Sequence, residues 1–351
     1  MKILFLSKYN RDGASSRYRF YNYKPYFDKN DIEFCVKPLL DNNYVLNLYS
    51  GNKFRVFAQK SVSILKRLTL LIFKSDDYDL IVIEKELFPN MPYVVEKILL
   101  KGKRYALDFD DYIATAYKTN PVKRVFLENK IDKLAQKAKL VTVGNHWYFE
   151  EIKSDNLIYL PTVINLKEYP QTKQSYESNV ITIVWIGSLY TGKYLKIVIP
   201  VLQQLAKKYP IKLKVIGVDI AIVGVDLEII KWRESTEVEE LLSSDIGIMP
   251  LENTIWEKGK CGFKLIQYMA CGLPVVATAA PANEEIVDDN VSGFLVYREE
   301  DWYTSLEKLI VSADTREQFG KAGRRKIESN YSYQIWGGRY CGFLKNCSYS
   351  K

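Results

Sequence analysis

Short apolar runs alternate along the first half of the chain with longer stretches in which apolar residues recur every three or four positions. The short runs predict buried strands, and the longer stretches predict helices. Strands separated by helices are typical of a parallel sheet that is covered on both faces. The predicted strands are Lys2–Leu6, 32–36, 80–83, Tyr105–Phe109 and Leu140–Val143, and the predicted helices lie near 17–27, 54–73, 93–100 and 122–136.

The second half of the chain repeats this alternation. Residues 161–179 carry two prolines and many polar residues, which predicts a linker. We therefore predict two doubly wound domains, 1–165 and 166–330, with a cleft at their carboxyl strand ends. The aromatic-rich segment 331–351 is a candidate to pack back across the first domain. The strands predicted here are 180–186, 213–217, Ile246–Met249, 274–277 and Gly293–Val296, and the helices are 194–208, 238–242, 264–271 and 302–310.

Length and composition fit this picture. A chain of 351 residues suggests two domains at about 150 residues per domain. Its apolar content of 47% and charged content of 26% exclude a disordered, collagen-like or coiled-coil protein. The longest apolar runs, such as 197–202, are far shorter than the roughly 18 residues that span a bilayer. Residues 1–6 predict a strand rather than a signal peptide.

Cysteines, histidines and net charge narrow the class of chemistry. Five scattered cysteines form no CxxC pair, which favours a reduced, cytoplasmic protein. The single histidine, His146, excludes a His-rich zinc site, and a histidine alone after a strand is more often structural than catalytic. The net charge of +8 suits an anionic ligand or an anionic membrane surface, and it is too small to predict nucleic-acid binding.

The most informative segment is 256–277, WEKGKCGFKLIQYMACGLPVVA. Lys260, Gly262 and Lys264 stand at the start of a predicted helix, and Gly272 ends that helix before the next strand. The helix N-terminus supplies backbone N–H groups and partial positive charge, to which the two lysines add full charges. This combination predicts a diphosphate site. The alternative is an ordinary helix cap with solvated lysines.

This segment resembles the donor-binding segment of the retaining glycosyltransferases of family 4, which have the GT-B fold of two facing Rossmann-like domains. The resemblance extends over most of the chain and is strongest from 181 to 302. It includes VWIGS at 184–188, DIGIMP at 245–250, NEEIV at 283–287 and SGFL at 292–295. In the first half, GASSRYR at 13–19 is similar to the family's glycine-containing loop.

The sequence departs from the general family pattern at one pair of positions. Many members carry two glutamates eight residues apart in this segment, where the first contacts the transferred sugar and the second contacts the ribose. Here Gly259 and Gln267 occupy those positions. The Gln267 amide can still hydrogen-bond ribose hydroxyls, and Glu257 is a candidate to compensate for Gly259. Lys260 and Lys264 are candidates to neutralise the phosphate charge.

The resemblance and the predicted strand ends together nominate donor-binding residues in both domains. In the first domain these are Gly13 and Arg17. Ordinary alternatives remain open, because Lys193 and Arg17 also suit solvated positions at helix starts and Trp232 also suits core packing. In the second domain the candidates are Gly187, Ser188, Lys193, Trp232, Arg233, Glu257, Cys261, Gly262, Phe263, Gln267, Asn283 and Glu285.

Asp110 is the candidate catalytic residue of the first domain. Lys260 and Lys264 are the candidate catalytic residues of the second domain. Asp110 lies in the run DFDD at 108–111, which ends a predicted strand. At that edge its carboxylate can orient an acceptor hydroxyl or the donor sugar. Two alternatives remain, since Asp-x-Asp also resembles the Mn²⁺ motif of the other major glycosyltransferase fold and also suits a capped polar turn.

A basic stripe marks the predicted helix 54–73. Lys53, Lys60, Arg67 and Lys74 are spaced by seven, beside an apolar stripe that contains Phe57, Ile64, Leu68 and Leu71, and no acidic residue occurs between Asp41 and Asp76. This pattern favours either a helix lying on an anionic membrane or a helix that packs on the sheet with a solvated edge.

These observations predict a cytoplasmic glycosyltransferase that moves a sugar from a nucleoside diphosphate to a hydroxyl acceptor, with retention and without a metal or other cofactor. The expected partners are the nucleotide-sugar donor and a glycan or lipid-linked acceptor, with contact at the inner face of the membrane and no nucleic acid. Two rivals remain: a nucleotide-sugar epimerase of the same fold, and a non-catalytic nucleotide-sugar-binding partner of another transferase.

Overall fold

The computed structural model describes residues 1–40, 53–170 and 172–349, with side chains from residue 56 onward in the helix that begins at Lys53. The chain divides into two compact units. Met1–Thr162 and Trp336–Lys351 form the first unit, and Val163–Ile335 forms the second. Residue 171 of the predicted linker and residues 350–351 of the predicted terminal segment lie outside the described residues.

The first unit is built on one parallel sheet. Its strands are β1 (Lys2–Leu6), β2 (Glu33–Val36), β3 (Leu80–Glu84), β4 (Tyr105–Phe109), β5 (Leu140–Val143) and β6 (Leu157–Tyr159), in the spatial order β2-β1-β3-β4-β5-β6. Every neighbouring pair is parallel. The strand order reverses between β1 and β3, and ligands of open α/β sheets bind at the carboxyl ends beside such a switch point.

In the described part of the first unit, eight helices connect these strands. Those between β2 and β5 pack on one face of the sheet, where Leu71, Leu127 and Leu134 join Ile81 and Leu107 in a single buried core. The helices are α1 (Ala14–Arg19), α2 (Lys24–Lys29), α3 (Lys53–Phe73), α4 (Tyr93–Leu99), α5 (Thr115–Lys118), α6 (Pro121–Leu127), α7 (Lys130–Ala135) and α8 (Tyr148–Glu151).

Two predicted helices are each divided in the structure. The prediction over 17–27 corresponds to α1, a 3₁₀ turn at Tyr21–Tyr23, and α2. Pro25 lies in the first turn of α2, where its missing N–H costs nothing, whereas inside a continuous helix its ring would clash with the preceding turn. The prediction over 122–136 corresponds to α6 and α7. Strand β6 was not predicted, because three half-buried residues carry little periodicity.

Helix α3 confirms the predicted helix but not its predicted basic face. Arg67 is buried, and its guanidinium donates to the backbone carbonyls of Ser7 (2.6 Å), Lys37 (2.9 Å) and Leu87 (3.3 Å). Burial lowers the pKa of Arg67 to about 10. Arg67 is therefore wrong as a member of a solvent-facing stripe, whereas Lys60 is half-buried and Lys74 is exposed. Phe57 of the apolar stripe is 70% exposed. The side chain of Lys53 lies outside the described residues.

The second unit repeats the architecture. Its strands are β7 (Ile181–Ile186), β8 (Ile211–Ile216), β9 (Asp226–Ile230), β10 (Ile246–Met249), β11 (Val275–Thr278) and β12 (Gly293–Val296), in the order β12-β11-β10-β7-β8-β9 with parallel neighbours. The switch point lies between β10 and β7. The two sheets confirm the predicted α/β class with two Rossmann-like, doubly wound domains.

Helices α9 (Leu195–Ala206), α10 (Glu237–Leu242), α11 (Ile255–Lys258), α12 (Phe263–Ala270), α13 (Pro281–Ile286), α14 (Asp301–Val311) and α15 (Ala313–Asn330) complete the second unit. Their apolar faces close a core that contains Trp185 and Trp302. The last helix, α16 (Tyr333–Tyr349), belongs to the first unit from Trp336 onward. There the buried ring of Tyr340 packs 4.9 Å from Tyr23 and 5.8 Å from Phe27.

Candidate functional site

Helix α12 of the second unit begins at a glycine in the left-handed conformation. Gly262 has φ = 64°, and a Cβ added to it would lie 2.3 Å from Cδ1 of Ile286 in α13. Any other residue would meet both backbone strain and a clash. Gly272 (φ = 77°) follows the helix and confirms the predicted stop. Packing thus places a helix N-terminus, with its partial positive charge, at Gly262.

The two lysines of this N-terminus lie over aromatic rings. The Lys264 ammonium is 5.7 Å from the ring centre of Trp185 at the end of β7. The Lys260 ammonium is 5.6 Å from Trp256 and 5.9 Å from Tyr194. Cation–π contacts of this kind help to hold a charge in place. Two ammonium groups therefore lie near the start of α12, and their role toward a diphosphate stays a prediction.

Glu257 is linked to the Lys260 ammonium through Tyr194. It is buried, and it accepts hydrogen bonds from the hydroxyl groups of Tyr194 and Thr254. Tyr194 is thus shared between Glu257 and the Lys260 ammonium. This contact orients the Glu257 carboxylate, and its role toward a donor sugar stays a prediction.

A second carboxylate, Glu237, connects two of the predicted donor residues. The indole N–H of Trp232 donates to Glu237 (2.6 Å), and the amide of Gln267 donates to its other oxygen. Glu237 is 7% exposed at the start of α10. Glu237 was not identified from the sequence. Its position at the start of a helix, five residues after Trp232, could have suggested that its carboxylate pairs with the indole N–H. Trp232 and Gln267 are therefore held next to each other by a shared carboxylate.

The other predicted residues of the second unit differ in their surroundings. Lys193 is exposed and pairs with Glu252 at 2.8 Å. A Cβ at Gly187 would lie 2.5 Å from the Trp185 ring, so close packing of the strand end explains this glycine. Asn283 is buried and donates to the carbonyl of Thr278 (2.8 Å). Of the remaining candidates, Ser188 and Arg233 are exposed, whereas Cys261, Phe263 and Glu285 are half-buried.

In the first unit, Asp110 belongs to a buried charged cluster at the carboxyl ends of β3 and β4. The Lys85 ammonium lies 2.8 Å from Asp110 and 3.0 Å from Asp111. Lys85 adopts φ = 66°, which is uncommon for a long side chain and marks a position under backbone strain. Burial opposes ionisation of Asp110, but Lys85 and the Ser15 hydroxyl outweigh it and lower the pKa of Asp110 to about 2.

Glu84 completes this cluster. It accepts from Ser16 (2.6 Å), from the backbone N–H of Lys8 (2.8 Å) and from Ser15 (2.9 Å). The single hydroxyl proton of Ser15 faces both Glu84 and Asp110. Burial, together with the neighbouring Asp110 charge, raises the pKa of Glu84. The two pKa values are therefore shifted in opposite directions, since burial favours a proton on Glu84 and Lys85 favours the ionised form of Asp110.

Several other residues near the carboxyl ends of these strands form buried or closely packed contacts. Arg19 forms a buried bidentate pair with Asp108. Arg17 is also buried, with its guanidinium 4.9 Å from the Tyr18 ring. A Cβ at Gly13 would lie 2.4 Å from Cβ of Tyr9, so close packing explains this glycine. His146 is exposed and stacks on Tyr159 at 4.2 Å. The donor roles of Gly13 and Arg17 stay predictions.

Residues 180–312 match the family model described as Glycosyl transferases group 1. This segment is a group 1 glycosyltransferase domain. It lies within the second unit and contains the basic N-terminus of α12, which confirms the resemblance stated from the sequence. Spore coat protein SA of Bacillus subtilis (strain 168) is 30% identical over 69 residues, which cover 19% of this chain and 18% of that protein. The match thus spans less than a fifth of that relative.

Solved glycosyltransferases share the fold. HepE of Anabaena, in complex with UDP and glucose, has a TM-score of 0.71 at 16% identity and covers 99% of this chain and 100% of its own. A glycosyltransferase from Rickettsia africae reaches 0.67 at 16% identity, covering 100% and 99%. WaaG, a glycosyltransferase involved in lipopolysaccharide biosynthesis, reaches 0.66 at 14% identity, covering 98% and 99%. The group 1 domain therefore belongs to a chain with the fold of GT-B glycosyltransferases.

Proposed function

We propose that the protein transfers a sugar from a nucleoside diphosphate to a hydroxyl acceptor. The observation that carries this proposal is the N-terminus of α12, where Gly262, Lys260 and Lys264 gather positive charge inside a group 1 glycosyltransferase domain. HepE, which shares the fold, was solved with UDP and with UDP-glucose, and this supports a uridine diphosphate sugar as the first donor to test.

The chemistry follows from the charges. Transfer breaks the bond between the anomeric carbon and the phosphate oxygen, and negative charge develops on the departing diphosphate. Lys260, Lys264 and the helix N-terminus stabilise that charge as it forms. The acceptor oxygen forms the new bond on the same face of the sugar, so the anomeric configuration is retained, and the acceptor's proton passes to the departing diphosphate. Because fixed cations supply the neutralisation, no metal ion is required.

The remaining site residues take supporting roles in this proposal. Trp232 and Arg233 contact the base, while Gln267, oriented by Glu237, hydrogen-bonds the ribose. Asp110 stays ionised and orients the acceptor hydroxyl or the donor sugar. The acceptor is a glycan carried on a lipid, at the cytoplasmic face of a membrane.

Lys264→Ala tests the donor site directly. Thermal shift with UDP-glucose, followed by a panel of other nucleoside diphosphate sugars, identifies the donor. At 100 times its Kd, the donor stabilises the wild type by about 2.7 kcal/mol. We expect Lys264→Ala to weaken donor binding at least tenfold, about 1.4 kcal/mol. Lys207→Ala, at an exposed lysine of the same unit, is the control and keeps full binding.

Activity measurements test the metal independence, the assigned site and the stereochemistry of the proposed reaction separately. Product from a glycan acceptor in the presence of EDTA supports metal-independent transfer, and loss of activity on chelation contradicts that part. A Lys264→Ala variant that binds every donor as tightly as the Lys207→Ala control contradicts the assigned site. The configuration of the product, read by NMR of the anomeric proton, tests retention.

A second candidate function is non-catalytic binding of a nucleotide sugar. The observation that favours it is Gly259, a buried glycine where many family members have a carboxylate that contacts the transferred sugar. This candidate predicts donor binding that Lys264→Ala abolishes, but no product with any acceptor. Sugar transfer that Glu257→Gln slows without weakening donor binding would exclude it and would assign the missing carboxylate to Glu257.

A further inference from the structure

Exposed apolar side chains concentrate on three helices of the first unit. Among the described residues, twenty large apolar side chains are exposed, and ten of them lie on α3, α4 and α6. Single exposed apolar residues are normal on a protein surface, whereas a group of them on neighbouring elements marks an interaction site. The ten residues, which we call the apolar face, are Phe57, Val62, Leu65, Ile72, Phe73, Val94, Ile98, Val122, Val125 and Phe126.

The three helices cover the same face of the sheet. Leu71 of α3 and Leu127 of α6 are buried in one core, and Leu99 of α4 packs against it. Except for Phe57, which shares the helical stripe of Leu71 but is exposed, the exposed residues lie away from the buried sides of these helices. Phe126 is 70% exposed although its neighbour Leu127 is buried, and Ile72 is 56% exposed beside the buried Leu71. The apolar face is thus the outer surface of one helical layer.

Basic residues accompany the apolar face. Lys66, Lys97 and Arg124 are exposed on α3, α4 and α6, one on each helix. Helices α3 and α6 contain no acidic residue, and the single acid of α4, Glu96, is buried and pairs with Lys130 at 2.6 Å. Exposed carboxylates occur only beyond the helix ends, at residues such as Asp76 and Glu128.

We propose that the apolar face docks on an anionic lipid bilayer. The apolar side chains enter the boundary between headgroups and acyl chains, and the three cations lie over the acidic headgroups. A second copy of this chain is a poor occupant, because its own cations would face these without carboxylates to pair with. None of the described helices combines the length and apolar content of a membrane-spanning helix.

This inference deepens the proposed lipid-linked acceptor by naming the surface that meets the membrane. It also replaces the stripe expected from the sequence, which included the buried Arg67. Binding to vesicles is measured without donor or acceptor. A failure to bind therefore leaves sugar transfer to a soluble glycan untested, and a failure of transfer leaves vesicle binding intact.

The experiment is flotation of the full chain with vesicles of phosphatidylcholine containing 30% phosphatidylglycerol, compared with vesicles of phosphatidylcholine alone. We expect binding to the anionic vesicles that is at least tenfold stronger and falls with added salt. Lys66→Glu, Lys97→Glu and Arg124→Glu in one variant should lower the partition coefficient at least tenfold. The matched control reverses three exposed charges elsewhere, Lys29→Glu, Lys207→Glu and Arg325→Glu, and has the same net charge.

A second pair of variants tests the apolar contribution. Leu65→Gln, Ile98→Gln and Phe126→Gln together should also lower vesicle binding at least tenfold, whereas Val223→Gln, Val291→Gln and Val311→Gln should not. Circular dichroism confirms that each variant is folded. Equal binding by the face variants and their controls, or equal binding to neutral and anionic vesicles, overturns the proposal. Self-association that the face variants abolish, without vesicle binding, assigns the face to a second copy instead.

Discussion

Lys85 sets the charge state of the buried cluster around Asp110. Its ammonium lies 2.8 Å from Asp110 and 3.0 Å from Asp111, and its own backbone is left-handed. Asp110 was identified from the sequence because it follows a strand. Lys85 and Glu84 were not, although three consecutive charged residues at the end of a buried strand were a signal for them.

Lys85→Met should destabilise the protein in a pH-dependent way. At pH 7 it removes the ammonium that pairs with the buried carboxylate of Asp110, which costs about 3–5 kcal/mol. The pKa of Asp110 is lowered to about 2 in the folded protein. Its stabilising contribution is therefore present above its ordinary pKa of about 4 and is lost as the pH falls toward 2. Urea unfolding at pH 7 and pH 3 should show a smaller difference from the wild type at pH 3.

Lys29→Met serves as the control for this change, because Lys29 is exposed. It should alter the free energy of unfolding by less than about 0.5 kcal/mol at both pH values. A Lys85→Met deficit that is the same at pH 7 and pH 3 would show that Asp110 is not held ionised by Lys85.

At the scale of the element, helix α12 shows how a local signal and its surroundings combine. The run of Gly262, the apolar positions and Gly272 predicted the start, the buried face and the end of the helix. The position of Ile286 against Gly262 came only with the packing of α13. Helix α3 shows the opposite case. Either its basic stripe or its apolar stripe could face the sheet. The carbonyl groups that accept hydrogen bonds from Arg67 belong to segments distant in sequence, so the sequence of the helix alone does not decide between them.

Gly262→Ala should disturb both the stability and the donor site. Forcing a Cβ into the left-handed region, 2.3 Å from Ile286, costs about 1–3 kcal/mol. If α12 holds the donor as proposed, we also expect donor binding to weaken at least tenfold, because the displaced helix N-terminus no longer aligns with the diphosphate. Chemical unfolding and thermal shift with the donor measure the two effects.

Gly338→Ala is the matched control in helix α16. No atom lies within 4 Å of a Cβ added at Gly338, and its φ is not positive. The helix propensity of alanine should therefore raise the free energy of unfolding by up to about 1 kcal/mol. Equal effects of the two substitutions would contradict the special role of Gly262.

At the scale of the whole molecule, the end of the chain helps to complete the first unit. Tyr340 and Leu344 are buried there, although more than 300 residues separate them from Tyr23 and Phe27. The aromatic composition of the terminal segment indicated that it packs against something. The partner was decided by the three-dimensional structure.

Tyr340→Ala should therefore destabilise the first unit. Removing a fully buried aromatic ring that packs on Tyr23 and Phe27 costs about 3–5 kcal/mol. Arg339→Ala, at the exposed neighbouring position, should change the free energy of unfolding by less than about 1 kcal/mol. Denaturant unfolding of both variants measures the difference. A Tyr340→Ala protein as stable as Arg339→Ala would contradict the assigned packing.

The sequence by itself determined the α/β class, most strands, and the group 1 glycosyltransferase segment with its basic helix start. These features are encoded by apolar periodicity and by runs of adjacent residues, which are local signals within a single helix or strand. Only the tertiary structure decided that Arg67 is buried, that Glu237 joins Trp232 to Gln267, and that Lys85 neutralises Asp110. Each of these contacts depends on how helices and strands pack together or on the conformation of a strained backbone. The apolar periodicity of a single element encodes neither of these.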